Sequence, residues 1–342
     1  MSEHFWLGMT IALFGGALNG SFAVPMKYIR RWRWENTWQI FSFICLELLP
    51  WALAAGFVPN LVEVYRGVPT RTLLYPLLFG LVWGVSLVMY GVAIRMVGMA
   101  LTIAVVAGLS CLIGSLTPLL VLHPADLLRP RGLLLLVSMP ILFLGLGLYR
   151  KAGLKREKEQ AVPGSTTAPT GANLAVGLAV CIFTGLIGST INLGFAFSGD
   201  IIHRSVQLGA SQVTSTYPVW ALVLGAGFIP NALYCSFLLS RNKTWALFLE
   251  GGWSNEALLS TATALLWLTG VLGYGVGANL IGVYGTSLGF ALMQSAQILS
   301  ANVSGILAGE WEGTSVGTKK LLAGAVASIL VSVVVLNLGG IF

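Results

Sequence analysis

The sequence predicts an all-α integral membrane protein of ten transmembrane helices, built as two five-helix repeats that cross the membrane in opposite senses. Three observations carry this reading. The composition is too apolar for a water-covered surface, the chain divides into ten apolar stretches of spanning length, and short motifs recur in order in its two halves.

Of the 342 residues, 56% are hydrophobic and only 9% are charged. The mean hydropathy is +0.85. Soluble domains carry about 25% charged residues, so lipid must cover much of this surface. The same balance excludes a disordered chain, a collagen-like fibre and a nucleic-acid-binding module. The net charge of +7 reads as basic loop residues rather than as an acidic partner. Cys45, Cys111, Cys181 and Cys235 lie in apolar stretches with no CxxC pair, so they read as small core residues with no redox role. His4, His123 and His203 form no metal or nucleophile constellation. No metal and no cofactor is expected.

A bilayer core about 30 Å thick needs about 20 apolar residues per helix. Such stretches run over 4–24, 36–58, 72–94, 97–120 and 131–149, then over 172–197, 213–239, 258–284, 286–308 and 319–341. The first lacks a basic leader, and Pro25 and Lys27 stand where a cleavage site would need small residues, so it is expected to be a mature helix. Loops after odd-numbered stretches hold 14 Lys and Arg residues, and those after even-numbered stretches hold 5. The positive-inside rule then places the first set in the cytoplasm and both termini outside. Residues 151–171 begin basic and continue Pro-, Gly-, Ser- and Thr-rich, which reads as a flexible cytoplasmic linker. It separates a first repeat, 1–150, from a second, 172–342.

Two matches support duplication. Asn19-Gly20-Ser21-Phe22-Ala23 resembles Asn192-Leu193-Gly194-Phe195-Ala196, and Gly56-Phe57-Val58-Pro59-Asn60 resembles Gly227-Phe228-Ile229-Pro230-Asn231 at the end of the seventh stretch. A weaker match pairs the turns at Gly98 and Gly285. Five is odd, so a second copy crosses in the opposite sense. Inverted repeats of this kind typify secondary transporters, with the solute site near the midplane between the halves.

Polar residues inside such helices are candidates for function. Glu47 sits mid-helix, where a charge costs about 2.5–3.5 kcal/mol, and could take up and release a proton near neutral pH. The other carboxylates, Glu256 among them, lie at ends or in loops and are expected to face water. Asn19 and Asn192 occupy equivalent repeat positions and are expected to line one cavity. Gln294 and Gln297 share a helix face. Tyr90 and Tyr217 combine a ring with a hydroxyl, as sugar-binding groups do. Gly80 and Gly84, and Gly273, Gly275 and Gly277, suit close helix approach. Pro50, Pro118, Pro140 and Pro218 are candidate kinks. Trp32, Trp34 and Trp38 beside Arg30, Arg31 and Arg33 read as an interfacial belt.

Several stretches resemble the L-rhamnose–proton symporter family of the drug/metabolite transporter superfamily. They are KYIRRWRWENTW (27–38), LLPWALAAGFVPN (48–60), LLFGLVWGVSLVMYGVAIRMVGM (77–99), GSLTP (114–118) and GEWEG (309–313). The resemblance spans nearly the whole chain. It implies the ten-helix, five-plus-five fold and a carrier in the bacterial inner membrane. That carrier takes up L-rhamnose or a related 6-deoxyhexose with a proton as coupling ion. The chain departs from the family where Glu47 replaces an apolar residue, and where the ninth stretch has Gln294, Gln297 and Asn302 in place of ionisable groups. The alternative is a carrier or exporter of another small polar metabolite. An embedded enzyme would need a cluster of acids, histidines or a nucleophile–base pair, and a receptor would need longer loops. The lipid bilayer and a small sugar are the expected partners, and the oligomeric state is left open.

Overall fold

The computed structural model describes residues 4–97, 99–122, 125, 129–160, 171–307, 309 and 311–338. Helix α1 (Phe5–Ser21) passes through a 3₁₀ turn at Pro25–Tyr28 into α2 (Trp34–Ser42). A π-helical turn, Phe43–Leu48, joins α2 to α3 (Leu49–Phe57) as one run. Short α4 (Leu61–Arg66) precedes α5 (Thr70–Val97), α6 (Met99–Leu122) and α7 (Pro130–Gln160). The rest of the chain forms α8 (Gly171–Gly188), α9 (Thr190–Ala196), α10 (Gly199–Gln207), α11 (Tyr217–Asn242), α12 (Trp253–Ile281), α13 (Gly285–Leu307) and α14 (Val316–Leu338). Among the described residues no strand occurs.

Seven helical stretches among the described residues are long and apolar enough to cross a membrane: 5–28, 34–57, 70–93, 132–160, 176–207, 214–242 and 253–281. Large apolar side chains such as Trp6, Phe14, Leu78, Leu144, Leu233 and Val331 stand exposed. In water such a surface would aggregate, whereas lipid covers it without penalty.

Packing between the two halves rests on glycine. Helix α1 lies on α12 and α13. A Cβ on Gly8 would meet the Gly277 carbonyl at 2.7 Å, and one on Gly15 would meet the Gly270 carbonyl at 2.8 Å. Real Cβ contacts are not that close, so the glycines set the distance between these backbones. Lipid offers no hydrophobic drive for helix association, so small residues gain stability through close van der Waals contact. The same device joins α5 to α11, where Gly84 faces Gly227. One buried amide ties three helices there. Asn231 Nδ2 donates to the Gly84 carbonyl at 3.1 Å, and Asn231 Oδ1 accepts from Trp38 Nε1 at 3.0 Å.

The neighbour pattern is symmetric. Helix α1 packs on α12 and α13, as α8–α9 packs on α5 and α6. Helix α5 meets α11 as α12 meets α2, while α6 meets α13 and α7 meets α14. The tight turn between α12 and α13 depends on Gly282, whose φ of +91° lies in the left-handed region.

Four expectations change. Residues 151–160 are not flexible but continue α7 to Gln160, while 161–170 lie outside the described residues. Gly227–Asn231 lies in the middle of α11, whereas Gly56 and Phe57 end α3, so that match does not join equivalent helix ends. Trp32 and Trp38 are buried, and their indole N–H groups donate to Leu247 and Asn231, so they pack the interior rather than form a belt. Glu256 is 4% exposed and faces the backbone N–H groups of Arg30 and Arg31 rather than water. Of the candidate kinks, Pro140 lies inside α7 and Pro50 lies inside the continuous run 34–57, directly after the π-helical turn, while Pro218 sits at the start of α11, where the missing N–H is harmless. Gly98 and His123, and the side chains of Cys111 and Pro118, lie outside the described set.

Candidate solute chamber

The glycine contacts leave a chamber where α1, α5, α6, α12 and α13 converge. It holds about 110 Å³ and is lined by Asn19, Trp83, Ser86, Tyr90, Ser110, Trp267, Phe290, Gln294 and Gln297 among others. A second chamber of about 250 Å³ shares Asn19, Phe22, Tyr90 and Gln297 with the first and runs to Lys27, Trp34 and Gly305. Together they reach the lower end of the roughly 300–1,000 Å³ usual for ligand sites.

Each lining group has a local cause. Gly16 and Gly20 let α1 press on α13, and Ser300 Oγ donates to the Ala17 carbonyl at 2.6 Å. This turns Asn19 inward, where its Nδ2 donates to the Trp267 carbonyl at 3.1 Å. Ser86 and Ser110 donate to the carbonyls of Thr184 and Gly185, each at 3.0 Å, so their hydroxyl protons are engaged. The polar groups left open on the chamber wall are Asn19 Oδ1, the Tyr90 hydroxyl and the side-chain amides of Gln294 and Gln297. None of these makes a hydrogen bond among the described residues. Trp83 and Trp267 stack on each other with centroids 5.7 Å apart and planes 23° apart, and both line the chamber. Among the described residues, no charged side chain lines this first chamber.

Of the candidates read from the sequence, the structure brings together Asn19, Tyr90, Gln294 and Gln297. It sets three apart. Asn192 is fully buried beside the chamber, held by Gly114, Thr286 and Tyr274, and Ile191 and Gly188 line the wall in its place. Tyr217 opens α11, with its ring edge-on to Phe57 at 6.4 Å. Glu47 lies in the π-helical turn and faces a separate lateral groove with Trp51, Leu77, Leu81 and Gly225. Its Oε2 would stand 3.2 Å from a Cβ on Gly225.

Sequence reading missed the two tryptophans, although a signal was present. Trp83-x₆-Tyr90-Gly91 recurs as Trp267-x₆-Tyr274-Gly275. This places a matching pair on α5 and α12, the two helices that receive the opposite half.

Apolar spans around a chamber lined by aromatic and uncharged polar side chains define a multi-pass membrane protein. Residues 1–341 match the family described as L-rhamnose-proton symport protein (RhaT), and the chain belongs to that family. Curated relatives named L-rhamnose-proton symporter are similar over 99% of both chains: one from Escherichia coli strain Crooks at 24% identity, and others from Shigella dysenteriae serotype 1 and Klebsiella pneumoniae at 23%. These relatives are named as transporters, not as enzymes.

Proposed function

We propose that the chain carries L-rhamnose or a related 6-deoxyhexose into a bacterial cell together with a proton. The observation that carries this reading is the chamber: a tryptophan pair beside uncharged amide and phenol groups that lack partners. A neutral polyhydroxylated ring offers donors and acceptors to such groups and an apolar face to an indole. A charged solute would find no counter-ion among the described residues that line the first chamber.

The architecture we infer has ten spans in two inverted repeats. Helices α6, α13 and α14 have 24, 23 and 23 residues, about 35 Å at 1.5 Å per residue, and with the seven candidate spans they make ten. The symmetric neighbour pattern and the recurring Asn-x-x-Phe-Ala and Trp-x₆-Tyr-Gly patterns support the repeat. The Lys and Arg bias places residues 151–171 in the cytoplasm and both termini in the periplasm. The second chamber reaches Lys27, beside Arg30, Arg31 and Arg33, so this state opens to the cytoplasm.

We assign the coupling proton to Glu47. π-Helical turns concentrate at functional sites, and Glu47 lies in the π-helical turn that packs on α11, a contact between the two halves. Its distance from the chamber makes the coupling indirect, through movement of those helices.

Reconstituted protein in proteoliposomes tests the reading. With an inward proton gradient it should concentrate labelled L-rhamnose, and a protonophore should collapse the gain. Equal label in protein-free and protein-bearing vesicles would refute it.

A further inference from the structure

Two sets of side chains are equivalent by sequence and opposite in state. Asn192 and Phe195 match Asn19 and Phe22 in the pattern Asn-x-x-Phe-Ala, and Tyr274 and Gly275 match Tyr90 and Gly91 in the pattern Trp-x₆-Tyr-Gly. A tryptophan from the preceding spanning helix seats over each of these glycines. A Cβ on Gly275 would meet Trp220 Cε2 at 2.9 Å, and one on Gly91 would meet Trp34 Cη2 at 3.2 Å.

In one half the set is shut. The Tyr274 hydroxyl donates to Asn192 Oδ1, and Asn192 Nδ2 donates to the carbonyls of Gly114 and Thr286. Phe195 stacks on Trp220 at 4.8 Å and 13°, and Tyr274 meets Phe290 at 5.5 Å. All four rings are at most 3% exposed. In the other half the same set is spread apart. Asn19, Phe22, Trp34 and Tyr90 line the second chamber. Phe22 and Tyr90 make no ring contact with each other, and Tyr90 makes no hydrogen bond to Asn19, among the described residues. The shut half also holds an anomaly. The Trp220 Nε1 donor is buried and has no acceptor among the described residues. A buried donor without a partner is rare in native structures and calls for an explanation.

We propose that the two Asn–Tyr pairs are copies of one hydroxyl-binding half-site, one facing the chamber and one closed on itself, and that they exchange states in each transport turn. The proposal rests on reading the chain as a carrier with inverted repeats. In the alternate state the Tyr90 hydroxyl donates to Asn19 Oδ1 and shuts the cytoplasmic side. Asn192, Tyr274 and the Trp220 N–H then turn to the hydroxyls of a neutral polyol entering from outside. Bonding to each other keeps Asn192 and Tyr274 satisfied where no solute hydroxyl can reach them. The unpaired indole N–H gains its acceptor only in the open state of its own half.

The test reads conformation without needing transport. The full chain, with its four cysteines replaced by serine, carries one reporter, Ser287→Cys. Ser287 is 5% exposed and is adjacent in sequence to Thr286, an acceptor for Asn192. A membrane-impermeant maleimide is added outside right-side-out vesicles. Tyr274→Phe keeps the ring but removes the donor that shuts the outer half, and labelling should speed about tenfold. Tyr90→Phe removes the equivalent bond of the alternate state, and labelling should slow below that of the parent. No change with Tyr274→Phe, or a shift of the same sign for both variants, would overturn the exchange. In the parent, L-rhamnose should change the labelling rate. If vesicles take up L-rhamnose yet labelling ignores it, the hydroxyl-binding role fails. If they take up none, the assigned solute fails, while the opposite-sign result still decides the exchange. Misfolding is recognised by loss of the monodisperse detergent-solubilised peak, and Asn192→Ala, which removes the acceptor of the same bond and leaves the rings in place, then replaces Tyr274→Phe, with the same faster labelling expected and an unchanged rate overturning the exchange.

Discussion

Replacing Gly84 with alanine should loosen the contact between α5 and α11 and destabilise the fold by about 2–4 kcal/mol. The added Cβ would stand 2.7 Å from Gly227 Cα and closer still to its carbonyl oxygen. Ordinary contact begins near 3.4 Å, so the helices must part by about 1 Å. A gap of that size forfeits a quarter to a half of the dispersion attraction across the contact. It also stretches the bond from Asn231 Nδ2 to the Gly84 carbonyl, now 3.1 Å, to about 4 Å, beyond hydrogen-bonding range. Interhelical bonds of this kind are worth about 0.6–1.7 kcal/mol in a membrane protein, and overpacking costs about 1–3 kcal/mol. Gly147→Ala is the control, because a Cβ there meets nothing within 4 Å. It should be neutral or slightly stabilising, since alanine favours helix by up to about 1 kcal/mol over glycine. Unfolding in mixed micelles, titrated with SDS and followed by tryptophan fluorescence, measures both. If Gly84→Ala unfolds within about 0.5 kcal/mol of Gly147→Ala, the close-approach argument is wrong.

Three further outcomes are expected. Trp83→Ala removes one face of the tryptophan pair in the chamber and should raise KM for L-rhamnose roughly two- to tenfold, as a contact worth about 0.5–1.5 kcal/mol requires; an unchanged KM would remove Trp83 from the site. Glu47→Gln should abolish uphill uptake driven by a proton gradient while leaving exchange between loaded vesicles, and a variant that still concentrates sugar would make Glu47 structural. Glu159 accepts from Ser315 N at 2.9 Å, from Ser315 Oγ at 2.6 Å and from Thr318 Oγ1 at 2.9 Å, capping α14 from the end of α7. Glu159→Ala should speed amide exchange over the first turn of α14 without changing that of α12, and unaltered exchange there would show that the cap contributes nothing.

Much of this protein was legible in its sequence because the bilayer imposes a simple rule. A chain with 9% charged residues cannot face water over most of its surface, and segment lengths follow from membrane thickness. The place of Asn19 could be read from a recurring motif and the family from contiguous stretches of residues. Depth within a helix was legible too, which is why Glu47 and Asn192 stood out. Which way each side chain faces was not. Apart from α13, where Gln294 and Gln297 share a face, these helices are apolar nearly all round, so no polar face marks the side turned to the interior. That rotation is set by glycine contacts with the other half of the chain, at Gly15 on Gly270 and Gly84 on Gly227. Those contacts turned Asn19 and Gln297 into the chamber and left Glu47 in a lateral groove. They also brought Trp83 and Trp267 face to face across 184 residues of sequence. In sequence, a tryptophan in an apolar run looks like any packing residue. Only the tertiary structure decides whether its ring meets lipid, another helix or the space where a solute passes, because that depends on the helix placed opposite it.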